Sequence, residues 1–229
     1  MSFNPTYMIN SFKLCTRYIG TTLFMALVSL IIGLALGIGI ALIRTYKIPL
    51  LARFFEIIIT ILKGVPIVLV ILGSYLLMSQ QFNHLAKSLG WSIQFKNVDP
   101  IWIAIFALGL MAIVNVSEIF RGIFVSIPKG QYDAAKSIGL TTTQMIRKIM
   151  IPQSIPIAIP MLSNLLINLI KASALASMVG VVDIFAEASI SAQQNYSFLE
   201  GYVAVAIIYW IMSLIIERGA TFLERALTR

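Results

Sequence analysis

YIGTTLFMALVSLIIGLALGIGIALI, residues 18 to 43, contains no charged side chain. As a helix rising 1.5 Å per residue it is about 39 Å long, more than the roughly 30 Å of hydrocarbon in a bilayer. It reads as a membrane span. Outward from it, the same signal recurs over residues 64 to 83, 100 to 117, 149 to 170 and 201 to 216. The last reaches full length only with Phe198 and Leu199 before it and the amphipathic tail behind Glu217, a tail that reads as an interfacial helix. Apolar residues make up 59% of the 229 positions and charged residues 11%, against about 45–50% and 25% in a soluble domain. The expected fold class is all-α: a polytopic transmembrane bundle of five spanning helices.

The first apolar run is too long for a signal-peptide core and lacks a cleavage pattern after it, so residues 1 to 17 are expected in the mature protein. A lone cysteine, Cys15, excludes an internal disulfide and a cysteine-rich metal site. The net charge of +8 comes from basic residues beside apolar runs, where they meet anionic membrane lipid and set orientation; no nucleic acid is expected. Arg121, Lys129, Lys136, Arg147 and Lys148 crowd residues 121 to 152, whereas residues 172 to 200 hold Asp183, Glu187 and Glu200 with no Lys or Arg. The positive-inside rule then puts residues 121 to 152 and the C-terminus (Arg218, Arg225, Arg229) in the cytoplasm and the N-terminus outside. Lys87 and Lys96, in the loop from 79 to 99, run against the rule.

Between the third and fourth runs stands a polar island, QYDAAKSIGLTTTQMIRKIMIP, residues 131 to 152. Pro128 and Gly130 end what precedes it, Gln131 to Ile138 suits a short helix, and Gly139 breaks it. Thr141 and Gln144 have capping-box spacing, which starts a second helix expected to stop at Pro152. Ala135, Ile138, Met145, Ile146 and Ile149 share one side, so the hairpin has an apolar and a wet face. Ala134, Ala135 and Gly139 permit close approach of another backbone. The residues alone allow either a knob for a partner's socket or a hairpin lying on headgroups.

Asp133, Ala134, Ala135, three residues, Gly139, nine residues, then Ile149, Met150, Ile151 and Pro152 resemble the EAA signature of ABC importer permeases. That signature is usually Glu-Ala-Ala, three residues, Gly, nine residues, Ile, any residue, Leu, Pro. Asp stands for Glu and Ile for Leu, both chemically close. SEIFRGIFVSIPKGQYDAA, residues 117 to 135, and LKGVPIVLV, residues 62 to 70, are similar to the polar amino-acid branch of that family. The likeness covers most of residues 20 to 227. Lys63 replaces a frequent Arg, Val65 a Thr, and KASAL, residues 171 to 175, the commoner Lys-Asp-Thr-Ser-Leu.

The resemblance implies a MetI-like, type I importer permease: one transmembrane domain over residues 1 to 229, multi-pass in the plasma membrane of a prokaryote. Residues 131 to 152 would be its cytoplasmic coupling helix. Asp133, Ala134, Ala135, Gly139 and Pro152 would seat in a cytoplasmic ABC ATPase dimer, an extracytoplasmic amino-acid-binding protein would deliver substrate, and a second permease copy or paralogue would complete the channel. ATP and magnesium would belong to the ATPase, since no GxxxxGK[ST] loop is present here. The chain would have no cofactor, no metal and no catalytic residue of its own. The altered KASAL stretch hints at a sulfur-containing amino acid such as cystine.

Ionisable and polar residues inside apolar spans mark pathways or partner charges. The pathway candidates are Lys63, Gly64, Pro66, Asn115, Glu118, Asn168, Lys171 and Ser173, with Asn164 beside them. Glu118 lies three residues before Arg121 and can pair with it; Lys63 and Lys171 can snorkel to the interfaces. Gly64 and Pro66 interrupt the second span about a turn from its start, as helices lining aqueous routes do. Gly33 and Gly37 read as an ordinary helix-packing face. His84, the sole histidine, has no companion ligand. An ion-gradient-driven secondary transporter or channel is the alternative; it needs no cytosolic knob and should show internal repeats. An intramembrane enzyme would need a catalytic constellation that the sequence does not display.

Overall fold

A computed structural model describes residues 3 to 227, so the Arg229 charge counted toward the C-terminus lies outside it. Helix α1, Pro5–Thr16, opens with Asn4 as its cap: Asn4 Oδ1 accepts from the Thr6 amide at 2.9 Å, and Pro5 fills the first turn, where no amide hydrogen is needed. After two residues follows α2, Ile19–Thr45. Then come α3, Leu51–Gly64, α4, Ile67–Ser88, and α5, Pro100–Ser126, the last capped by Asp99.

The largest seam joins α2 to α5. Ser29 Oγ donates to the Ile105 carbonyl at 3.3 Å, and Arg44 reaches Ser117 and Glu118. A Cβ added at Gly33 would stand 2.7 Å from the Ala112 Cβ, and one at Gly37 2.8 Å from the Val116 Cβ. Register rises together along both helices, so they are parallel, as first and third spans should be. The two glycines are packing contacts, as expected.

Among the described residues four helices are long and apolar enough to cross a membrane, and α3 with α4, bent by 107°, supplies a fifth span if taken as one. The break at Gly64–Pro66 therefore differs from expectation. It is a corner between a 14-residue and a 22-residue helix, not an interruption one turn into a span. Val65 is extended (φ −93°, ψ 125°) because the Pro66 ring excludes helical backbone at the residue before it.

Next come α6, Lys129–Ser137, α7, Thr142–Met145, and α8, Ile151–Ser173. Pro152 does not stop the second helix of the island. A π-helical turn over residues 146 to 150 carries α7 into α8, where Pro152 sits in the first turn and Pro156 and Pro160 lie inside. Pro152 has no amide hydrogen to give to the helix that runs into it from Thr142, and the widened π-turn just before it is where the helix absorbs that loss without breaking. Helix α9, Ile184–Gln193, and α10, Phe198–Leu227, complete the chain. The tail behind Glu217 is not a separate interfacial helix; it continues α10 without a break.

Helices α1 and α9 were invisible to the hydropathy reading. They pack with the start of α10. Asn4 N–H donates to Glu200 Oε1 at 2.8 Å, and Gly201 lets α9 approach, with its missing Cβ 3.3 Å from the Ala188 carbonyl oxygen. Asp183, fully buried, caps α9 through the Ala186 amide at 2.9 Å. The core where the spans meet is filled by Met25, Ile71, Ile103, Leu108, Phe124 and Ile170.

Candidate functional site: a polar elbow and an ion cluster

The polar island forms an elbow at the end of the bundle where α5 finishes. Helix α6 closes on Gly139 at φ +77°, with the Gly139 amide donating to the Lys136 carbonyl and Leu140 to Ala135. This is a left-handed helix stop that glycine adopts without a Cβ clash. The capping box predicted from Thr141 and Gln144 is present in both directions, at 3.3 and 2.9 Å.

Side-chain bonds fix the elbow to the spans. Tyr132 Oη donates to the Phe124 carbonyl at 3.0 Å, satisfying an unpaired acceptor in the last turn of α5. Gln153 Nε2 donates to Gln131 Oε1 at 2.7 Å, and Tyr46 Oη contacts Met150 Sδ at 3.1 Å. Burial holds both phenols above their ordinary pKa, so both remain hydroxyls.

Within the signature, Ala135 faces inward and is buried, while Asp133, Ala134 and Gly139 face outward. Met145 is buried with Ala135, as the shared apolar side predicts. Ile138 departs from that side: it is 75% exposed at the tip. It caps the last turn of α6, just before the left-handed stop at Gly139, beyond the part of that helix that the bundle covers. Helical periodicity, which assumes an unbroken helix, could not anticipate that.

Glu118 accepts from Arg44 Nη1 at 2.6 Å and from Arg121 Nη2 at 3.2 Å, and Lys63 Nζ lies 3.5 Å from its other contact face at Oε2. The Glu118–Arg121 pairing foreseen from their spacing is there, and Lys63 joins it instead of merely snorkelling. Arg44 is the member the sequence reading missed; only the parallel register of α2 on α5 brings it in. The glycines at 33 and 37 were the available hint of that register. Gly64 and Pro66 form the exposed corner beside Lys63.

The remaining candidates are apart from this cluster. Asn115 Nδ2 donates to the Met111 carbonyl of its own helix at 2.8 Å. Ser173 is enclosed, its hydroxyl donating to the Ile170 carbonyl. Asn164, Asn168 and Lys171 are exposed and, at spacings of four and three, share one face of α8.

The profile of the family described as binding-protein-dependent transport system inner membrane component matches residues 33 to 229. PatM of Vibrio harveyi, a probable amino-acid ABC transporter permease protein, is 31% identical over 229 residues, which span 100% of this chain and 98% of PatM. The L-cystine transport system permease protein TcyL of Bacillus subtilis (strain 168) is 30% identical over 202 residues, 88% of this chain and 82% of TcyL. Among solved structures, the crystal structure of an amino acid ABC transporter with histidines superposes with a TM-score of 0.84 at 26% identity, covering 99% of this chain and 100% of the other. The inward-facing MetNI methionine ABC transporter shares the fold, with a TM-score of 0.74 at 22% identity over 94% of this chain and 97% of that one. A bundle of parallel first and third spans, an elbow carrying the signature, and these likenesses along nearly the full chain agree: this chain belongs to the family of binding-protein-dependent transport system inner membrane components, the membrane-spanning permeases of ABC importers.

Proposed function

We propose that the chain carries an amino acid inward by alternating access, driven through its elbow by a cytoplasmic ATPase dimer that holds the ATP and magnesium. The observation that carries this reading is the elbow. Asp133, Ala134, Ile138 and Gly139 face outward on a turn tied to α5, α8 and the end of α2. Force on such a turn moves the spans as rigid bodies instead of being lost in a loose loop. In this reading the elbow end is cytoplasmic, and α1 and α9 are on the outer side, where a binding protein delivers substrate.

Asn164, Asn168 and Lys171 support a pathway along α8. Polar and charged groups on an exposed face of a span are costly in lipid, so this face belongs against water or a second permease, a copy or a paralogue. Lys63, Gly64, Pro66 and Glu118 would border the inner end of the route. L-cystine is the first substrate to try, because TcyL is named for it and KASAL departs from the commoner pattern.

The test of coupling is Ala134→Trp. Ala134 is exposed on a helix, so the bulky ring leaves the bundle folded while blocking a close-fitting socket. The ATPase subunit should fail to co-purify and uptake should fall, with an unchanged apparent Tm of the permease; normal co-purification and uptake would overturn the reading. Substrate is identified by measuring which amino acid, with the binding protein present, stimulates ATP hydrolysis by the assembled complex.

A further inference from the structure

Beside the ion cluster, the turn between α2 and α3 and the flank of α5 enclose a cavity of about 570 Å³. Arg44, Lys47, Arg53 and Arg121 line it, with Glu56 as the one acidic residue of its wall. Glu118 is already shared among Arg44, Arg121 and Lys63. Neither Lys47 nor Arg53 has a carboxylate within 4.0 Å among the described residues, and the buried Arg121 Nε has no hydrogen-bond partner. Four cations held around one space repel one another, a cost that an anion placed between them removes.

The backbone of this turn is unusual too. Leu50 stands at φ 67°, ψ −54°, in a γ-turn closed by the Leu51 amide on the Pro49 carbonyl at 2.8 Å. This conformation is strained for a residue with a Cβ, and such strain concentrates where a ligand is held. Leu50 is 89% exposed, and Ile48, Leu51 and Phe54 beside it are exposed as well. A cationic floor with an apolar fringe matches an amphiphile: phosphate below, acyl chain above.

We propose that this cavity is a binding site for a phosphate-bearing anion, supplied by the headgroup of an anionic phospholipid. Its occupant neutralises the cations at the ends of α2 and α5. Through the Tyr46–Met150 contact the same turn touches the base of the elbow, so occupancy steadies the junction that transmits the ATPase stroke.

The experiment reconstitutes the permease with its ATPase in nanodiscs of phosphatidylcholine and phosphatidylglycerol and counts, by native mass spectrometry, the phosphatidylglycerol retained on release. Lys47 lies at φ 51°, so Lys47→Asn suits its left-handed backbone. Lys47 and Arg53 have no ion partner among the described residues, so their loss leaves the fold intact. Arg53→Gln should weaken retention about fivefold and Lys47→Asn with Arg53→Gln about thirtyfold, as about fivefold per basic group near anionic lipid implies. Arg218→Gln, at a basic residue on α10 outside the cavity's lining, should leave retention unchanged, and Arg53→Lys should restore it. Retention that resists excess inorganic phosphate identifies the lipid headgroup; displacement by inorganic phosphate, with the same loss in the variants, keeps the site and makes its occupant a soluble phosphate. Wild-type retention in Arg53→Gln, or an equal loss in Arg218→Gln, overturns the proposal. If the double variant does not elute as an assembled complex, Arg53→Gln alone decides.

Discussion

One carboxylate, Glu118, serves three cations, and their exposures decide which pairing matters. The Arg44 side chain is 10% exposed, against 40% for Arg121 and 54% for Lys63. Exposed pairs contribute about 0–1 kcal/mol, whereas removing the partner of a buried charge leaves it uncompensated. Glu118→Gln is therefore expected to cost about 1–3 kcal/mol, mostly through Arg44, and Lys63→Met close to nothing. A double-mutant cycle on apparent Tm, pairing Glu118→Gln with Arg44→Met and then with Lys63→Met, checks this. The coupling should be large for the first pair and near zero for the second. Asp183 poses the opposite problem, a buried carboxyl with no cation paired to it among the described residues. Burial raises its pKa above the ordinary 3.8, although the Ala186 amide and Tyr209 hydroxyl act against the rise. A raised acid favours folding where it is protonated in both states. Its contribution thus declines as pH climbs from the ordinary carboxylate value through the folded one. Asp183→Asn keeps a good helix cap and removes the titration. It should equal or exceed the wild type in Tm at neutral pH and abolish the decline above pH 4, as thermal melts across pH would show; a steeper decline in the variant would contradict this.

The helices differ in how much of each the sequence discloses. Spans were legible because an uncharged run of twenty residues has few other uses. The elbow was legible because a capping box and a left-handed glycine act locally. What hydropathy cannot carry is pairing between distant segments. Arg44 finds Glu118 only once Gly33 and Gly37 have seated α2 on α5, and α1 is fixed by Glu200, far along the chain. Both short helices carry local start signals, Asn4–Pro5 and Asp183, which mark a helix but not where it docks. The seam predicts a contrast within one helix. Gly33→Leu drives a side chain into the Ala112 backbone, whose carbonyl carbon would lie 2.9 Å from the new Cβ, and should cost at least about 1–3 kcal/mol. Gly39→Ala meets nothing within 4 Å and should be neutral or stabilising by up to about 1 kcal/mol. Detergent-solubilised melts of the two distinguish a packed seam from general intolerance of α2. Docking of α1 has its own probe. Cys15 is fully buried, and burial, aided by Glu187 and Asp183, pushes its thiol up to about 12. Alkylation at pH 8 should therefore be slow until α1 is released, for instance by Glu200→Ala, which removes the acceptor of the Asn4 amide.

For the assembled transporter, the informative surface is the face of α8 bearing Asn164, Asn168 and Lys171. Most other exposed positions on the spans are apolar: Leu76 and Leu77 on α4, Trp102 and Phe106 on α5, Trp210 and Ile215 on α10. Such residues suit acyl chains. Two amides and an ammonium on one side of a span do not, and α8 is also the helix that leads directly from the elbow through its π-turn. In the proposed function, a stroke delivered at Asp133 to Gly139 would reach this polar face through the Gln131–Gln153 bond and the continuous helix that runs from Thr142 into α8. The location of water follows from this arrangement and can be measured, because a thiol reacts with a water-borne reagent only where its thiolate can be hydrated. Single cysteines at Asn168 and Lys171, in chains whose buried Cys15 is replaced by Ala, should be modified by a membrane-impermeant thiosulfonate. A cysteine at Trp210, also exposed but set among apolar neighbours, should not. Adding ATP and vanadate to the complex should change the rates at 168 and 171 in step with transport and leave 210 silent. Equal inertness at all three would assign the α8 face to a dry contact with the second permease, and the pathway would then have to run elsewhere.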